Sequence, residues 1–167
     1  RTYMTYTLSN KYSDDPYWFV NAAVVKQSFI DSFDNNCYDS IRQNPVIRRH
    51  HKHYKEDKYA PAWKTLEHMT LGGMLILYKN LRNLQDQRDV SFYFGINQTA
   101  VFENYMESIR SIRNICAHGS VLYDTKLFHE IKCGPAGKIF PDEKYRLGAA
   151  IKVISYMIGR ISSNRQH

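Results

Sequence analysis

The sequence has no CxxC pair, no uninterrupted apolar run of membrane-spanning length and no sustained alternation of apolar and polar residues. Each absence narrows the field. Cys37, Cys116 and Cys133 are an odd number at unrelated spacings, which speaks against a disulfide framework or a cysteine-based zinc site and suits a reducing cytosol. Without about 18 consecutive uncharged apolar residues, nothing reads as a membrane span. The chain starts at Arg1, and RTYMTYTLSN lacks the apolar run of a secretory signal. It therefore reads as starting inside a longer native chain, with any N-terminal address out of view.

What is present describes a folded, basic, helical protein. An apolar fraction of 43% over 167 residues, with thirteen Tyr, eight Phe and two Trp, is enough for one domain with a real core and argues against disorder. The formal net charge of +7 favours a polyanionic partner, although charge speaks of association rather than of fold. Asp14-Asp15-Pro16 resembles an acidic cap with proline at a first helical position, opening a helix through WFVNAAVVKQSFIDSFDNNCYDSI that ends before Pro45. After the short basic piece PVIRRHHKHYK, Pro61 opens a second long helix. There Trp63, Leu66, Met69, Leu71, Met74, Leu77, Tyr78 and Leu81 can fill a buried stripe. Gly72-Gly73 in its middle predicts a close approach or a bend. A polar stretch, QDQRDV, precedes a helix from about Asn97 to His118, which Gly119 is placed to stop. KCGPAGKIFPD reads as a loop. The last helix is expected to bury Leu147, Ile151, Ile154, Ile158 and Ile161 on one side. The expected architecture is all-α, a helical bundle with a long loop before its last member.

The helix ending at His118 carries the chemistry. At about 100° per residue, Glu103, Glu107, Arg110, Asn114 and His118 fall on one line, flanked by Arg113 and Ala117. Val101, Tyr105, Ile109, Ile112, Ile115 and Cys116 fall on the core side. Such a polar turn suits attack on a phosphodiester. Arg113 offers a planar fork of donors matched to phosphate oxygens, and His118 exchanges protons near neutral pH. Asn114, one turn before His118, can orient it or contact the substrate. RNA brings its own nucleophile, the 2′-OH, so a base, an acid and a cation suffice without metal or cofactor. A plainer reading stands beside this one. Cations at a helix C-terminus complement its dipole, and Glu107 with Arg110 can be an ordinary i,i+3 ion pair.

Arg113-Asn114-Ile115-Cys116-Ala117-His118 resembles the R-N-x-x-A-H form of the signature of HEPN domains, helical nucleases of bacterial defence systems. Within them it is most similar to the Abi-like abortive-infection proteins of the AbiD and AbiF type. The following Gly119-Ser120-Val121-Leu122-Tyr123 and the earlier PAWKTLEHMTLGG also resemble that family's pattern, as do the basic piece ending in Tyr54 and the opening RTYMTYTLSNKY. The resemblance implies a single HEPN-like Abi domain over residues 1–167, lacking its native N-terminal helices. It implies a metal-independent endoribonuclease toxin of phage defence in which Arg113 stabilises phosphate charge, His118 is the acid or base and Asn114 assists. Two copies would face each other in a homodimer, an RNA or protein antitoxin would be the restraining partner, and the setting would be cytoplasmic. One departure is visible: Ser120 fills the slot that holds tyrosine in HEPN toxins silenced by nucleotide addition.

Glu67 matches the family's glutamate and is expected to border the same cleft; a solvent-exposed margin position is the alternative. Arg110, with Arg48, Arg49, Lys52 and Tyr54 of RRHHKHYK, is expected to contact RNA, the tyrosine by stacking a base. Three histidines lie within that run, yet the lysines and arginines around them would repel a metal cation. A solvated charge run explains it equally well. Two other classes compete with the nuclease: a non-catalytic HEPN module binding RNA or protein, and a helical dimerisation domain with an idle polar stripe.

Overall fold

A computed structural model describes residues 1–164, with side chains through Ile161. It is all-α: among the described residues there is no strand, only isolated bridges such as Val25 with Leu81. The chain packs as two compact units, Arg1–Val90 and Ser91–His167. No helix among the described residues is long and apolar enough to cross a membrane.

In the first unit, α1 (Thr2–Lys11) buries Met4 and Leu8, one turn apart. The helix expected from Pro16 does not form there. Instead the Asp15 carboxylate accepts from the Tyr17 amide at 2.8 Å and from Asn21 Nδ2 at 2.7 Å. That local pairing favours a turn over a helix, and only a 3-10 turn, Trp18–Val20, follows. Helix α2 (Gln27–Phe33) runs through a wide π turn, Asp34–Tyr38, into the short α3 (Asp39–Ile41). Its aromatic side chains make the centre of this core: the Phe33 ring packs tilted or edge-on against Phe19, Phe29, Tyr38 and Tyr59, with centroids 5.4 to 5.9 Å apart.

The basic piece is itself a helix, α4 (Pro45–His53), capped by Asn44 accepting from the Val46 amide. Then α5 (Ala62–Thr65) and a 3-10 turn, Leu66–His68, precede α6 (Leu71–Lys79). The single helix expected from Pro61 is thus broken, and not at the glycines. It breaks at Met69 and Thr70, because Thr70 turns extended and caps α6 by accepting from the Gly73 amide at 3.0 Å. The expected stripe is buried at Leu66, Met69, Met74, Leu77, Tyr78 and Leu81, and Leu71 is half-buried. Trp63 is corrected: it is 57% exposed, since the break changes which face of α5 meets the core. The polar stretch QDQRDV lies inside α7 (Leu84–Tyr93). Its fully buried Asp86 is held by the Lys11 ammonium and by the Tyr12 hydroxyl at 2.6 Å.

The second unit is built on α8 (Thr99–Ala117) and α9 (Leu147–Asn164), which pack together. Helix α8 buries Val101, Phe102, Tyr105, Ser108 and Ile112. Of its expected core face, Ile109 and Ile115 are half-buried and Cys116 is exposed. The seam runs nearer the Ser108 side than the apolar pattern alone indicates. A larger correction concerns α9, which presents Ala149, Ala150, Val153 and Met157 to the core. Ile151 and Ile158 are 51% and 59% exposed, Ile161 is also exposed, and Leu147 and Ile154 are half-buried. The alanines let α9 approach closely, whereas the isoleucine line would hold it off.

Between these helices the loop of residues 118–146 is tied down rather than loose. Asn104 of α8 clamps it twice, donating to the Glu130 carbonyl at 2.8 Å and accepting from the Lys132 amide at 2.8 Å. Gly134 lies against α8 so closely that a Cβ there would stand 2.7 Å from the Tyr105 hydroxyl. Only glycine fits.

Candidate active site

The end of α8 is set by a Schellman motif. The Gly119 amide donates to the Cys116 carbonyl at 3.2 Å and the Ser120 amide to the Ile115 carbonyl at 3.1 Å, with Gly119 at φ +65. His118 is the capping residue, at φ −93 and ψ 8, its amide still bonded to Asn114 at 3.0 Å. The imidazole is therefore carried on a fixed backbone.

Beside this turn lies an open cleft of about 290 Å³. Arg110, Asn114 and His118 line one wall, each a helical turn from the last, and Lys126, Leu127 and Phe128 line the other. Arg113 is exposed outside that lining, and its Nη1 donates to the Asn114 side-chain oxygen at 3.1 Å. Asn114 thus links Arg113 to the cleft, and its amide oxygen is held by the guanidinium rather than by His118. Arg110 forms the i,i+3 ion pair, Nε to Glu107 Oε2 at 2.7 Å, with both side chains partly exposed. Nearer the start of α8, burial pushes the Tyr105 hydroxyl above the ordinary tyrosine range, so it stays neutral and accepts from the Ala136 amide at 3.3 Å.

The remaining expected residues belong to the first unit. Glu67 sits in the 3-10 turn, exposed, and its carbonyl accepts from the Arg1 guanidinium. Arg48, Arg49 and Lys52 of α4, and Tyr54 just after it, are all exposed. Tyr54 already stacks one face on His50, ring centroids 4.9 Å apart. The three histidines of that run diverge. His50 is buried and bonds Asp57 at 3.0 Å, His51 meets the Tyr38 hydroxyl at 2.8 Å, and His53 is exposed. Desolvation, aided by neighbouring His50 and Arg42, pushes the His51 pKa below its ordinary value and favours the neutral ring. Among the described residues no cluster of three or more His, Cys, Asp or Glu is grouped to hold a metal ion.

The sequence profile of the Abi-like protein family matches residues 1–124. The chain belongs to the Abi-like family. Membership points to abortive-infection phage defence as the biological setting. Comparison with curated proteins and with solved structures gives no match. The Abi-like match spans α1 to α8 and the whole Arg113-to-His118 turn, and it ends just before Lys126. Sequence reasoning missed the cleft's second wall for a related reason. Lys126, Leu127 and Phe128 belong to no periodic element, and that Leu127 is buried between two outward residues is visible only in the structure.

Proposed function

We propose that this Abi-like protein is a HEPN-type endoribonuclease whose domain, residues 1–167, acts as a toxin in phage defence. The observation that supports it best is one cleft holding Arg110, Asn114 and His118, with Lys126 opposite and Arg113 attached through Asn114. Such a cleft offers positive charge to a phosphate and an imidazole to move a proton. In the reaction a base removes the proton of the 2′-OH and the 2′-oxygen attacks phosphorus. The bond to the 5′-oxygen then breaks, and an acid protonates the leaving oxygen. The products end in 2′,3′-cyclic phosphate and 5′-OH.

One chain supplies one His118, while the reaction needs both a base and an acid at a single phosphate. A homodimer with two His118 side chains facing one groove supplies both from identical subunits. Arg48, Arg49, Lys52 and Tyr54 of the first unit have a supporting role in this reading, as an exposed basic surface that attracts the phosphate backbone. An RNA or protein antitoxin restrains the enzyme.

The test is RNA cleavage by the purified protein in excess EDTA, beside its His118→Ala variant. Cleavage should persist in EDTA, leave cyclic phosphate ends and vanish in the variant. Equal cleavage by the variant, or activity lost in EDTA and restored by magnesium, would reject the mechanism. RNA binding with no cleavage under any condition would favour the non-catalytic module.

A further inference from the structure

Phe128 is fully exposed, yet it lines the cleft beside His118. Leaving a phenylalanine in water forgoes a burial worth about 1.5 to 3 kcal/mol. The backbone on both sides of it is nonetheless anchored. Leu127 is buried and its amide donates to the Tyr145 carbonyl at 2.8 Å. On the other side, His129 Nε2 meets Ser108 Oγ at 3.1 Å. The Ser108 hydroxyl also donates to the Asn104 carbonyl, at 2.8 Å, which ties this contact to the body of α8. Asn104 then fixes Glu130 and Lys132. The ring is held out over a basic cleft on a rigid support.

Building on the nuclease reading above, we infer that Phe128 is a stacking platform for an unpaired base of the RNA strand. The phosphate next to that base lies against Arg110, Asn114 and His118, and Lys126 contacts the neighbouring backbone. An aromatic face beside cations is the arrangement that binds single strands, because a base inside a duplex has no free face to offer. The site therefore selects single-stranded RNA. It also belongs to this chain rather than to the family-matched segment, since Lys126 and Phe128 lie beyond residue 124.

The test uses the full chain carrying His118→Ala, so that RNA is bound and not consumed. The probe is a short single-stranded RNA with 2-aminopurine at one central position, whose fluorescence is quenched on stacking. Adding Phe128→Ala should abolish the quench and weaken binding on the order of ten-fold or more. Phe128→Tyr should restore both, and Phe128→Leu, apolar but not aromatic, should behave as alanine does. Because the ring is wholly exposed, thermal melting of each variant should match the parent. A duplex of the same sequence should bind weakly and be indifferent to Phe128. Quench and affinity unchanged in Phe128→Ala, or a duplex bound as tightly as the single strand, would overturn the inference. The two readings fail separately. A Phe128-dependent quench with no cleavage by the unsubstituted protein would sink the nuclease and leave the base site standing. Cleavage with a Phe128-independent quench would do the reverse.

Discussion

Replacing Gly119 by alanine tests the turn on which the whole site rests. Gly119 holds φ +65, and a Cβ built there meets nothing within 4 Å, so the change carries no steric cost and reports the backbone alone. A non-glycine residue in the left-handed region costs about 1 to 2 kcal/mol. The stiffer unfolded chain returns about 0.4 to 1 kcal/mol. The net expectation is a loss of roughly 1 kcal/mol, or about 2 to 4 °C in Tm for a chain of this size. Gly119→Asn should lose less, because asparagine enters that region more readily. Urea unfolding followed by far-UV circular dichroism measures both. The sign is decisive. If α8 instead continued through residue 119, alanine would be the better helix former by about 1 kcal/mol, and Gly119→Ala would stabilise. Stabilisation would therefore refute the Schellman stop, and with it the placement of His118 on the wall of the cleft.

Other outcomes follow from the same contacts. The Tyr12 pKa is pushed up to about 12 by desolvation and by its hydrogen bond to Asp86. Since the folded value lies above the ordinary 10, stability from this contact should be intact below pH 10 and fall as pH rises toward 12; alkaline denaturant titrations should show that fall, and Tyr12→Phe should flatten it. Asp86→Ala should cost about 2 to 3 kcal/mol in chemical unfolding, since it leaves the Tyr12 hydroxyl and the partly exposed Lys11 unpaired beside an emptied buried position. Asn104→Ala removes both clamps on the loop and should lower stability by about 1 to 2 kcal/mol; a larger loss in RNA affinity than in Tm would mark the clamp as supporting the Phe128 wall, and an affinity unchanged would deny it. Arg113→Lys keeps the charge but loses the planar fork that holds Asn114. Cleavage should drop at least ten-fold with Tm within about 1 °C of the parent, and full turnover would reduce Arg113 to a helix-end cation.

Much of α8 could be read directly from the chain. Val101, Tyr105 and Ile112 recur at helical spacing, and Gly119 follows the last turn, so the core line, the polar line and the stop all lie within one continuous segment. Local periodicity and a glycine's freedom are properties of consecutive residues, and the all-α class follows from them. Which apolar line of α9 faces inward is a different kind of fact. Leu147, Ile151, Ile154, Ile158 and Ile161 form as regular a stripe as Ala149, Ala150, Val153 and Met157, and more apolar surface alone would favour the isoleucines. The choice fell to the alanines because the helices of that unit pack closely, and distance of approach belongs to a pair of helices, not to one. Trp63 turned outward once Thr70 capped α6 and broke the helix before it. The wall of Lys126, Leu127 and Phe128 comes to Arg110, Asn114 and His118 because Asn104 and Ser108 hold a distant loop against α8. Such side-chain clamps join residues more than twenty positions apart, and no local pattern in the sequence encodes them.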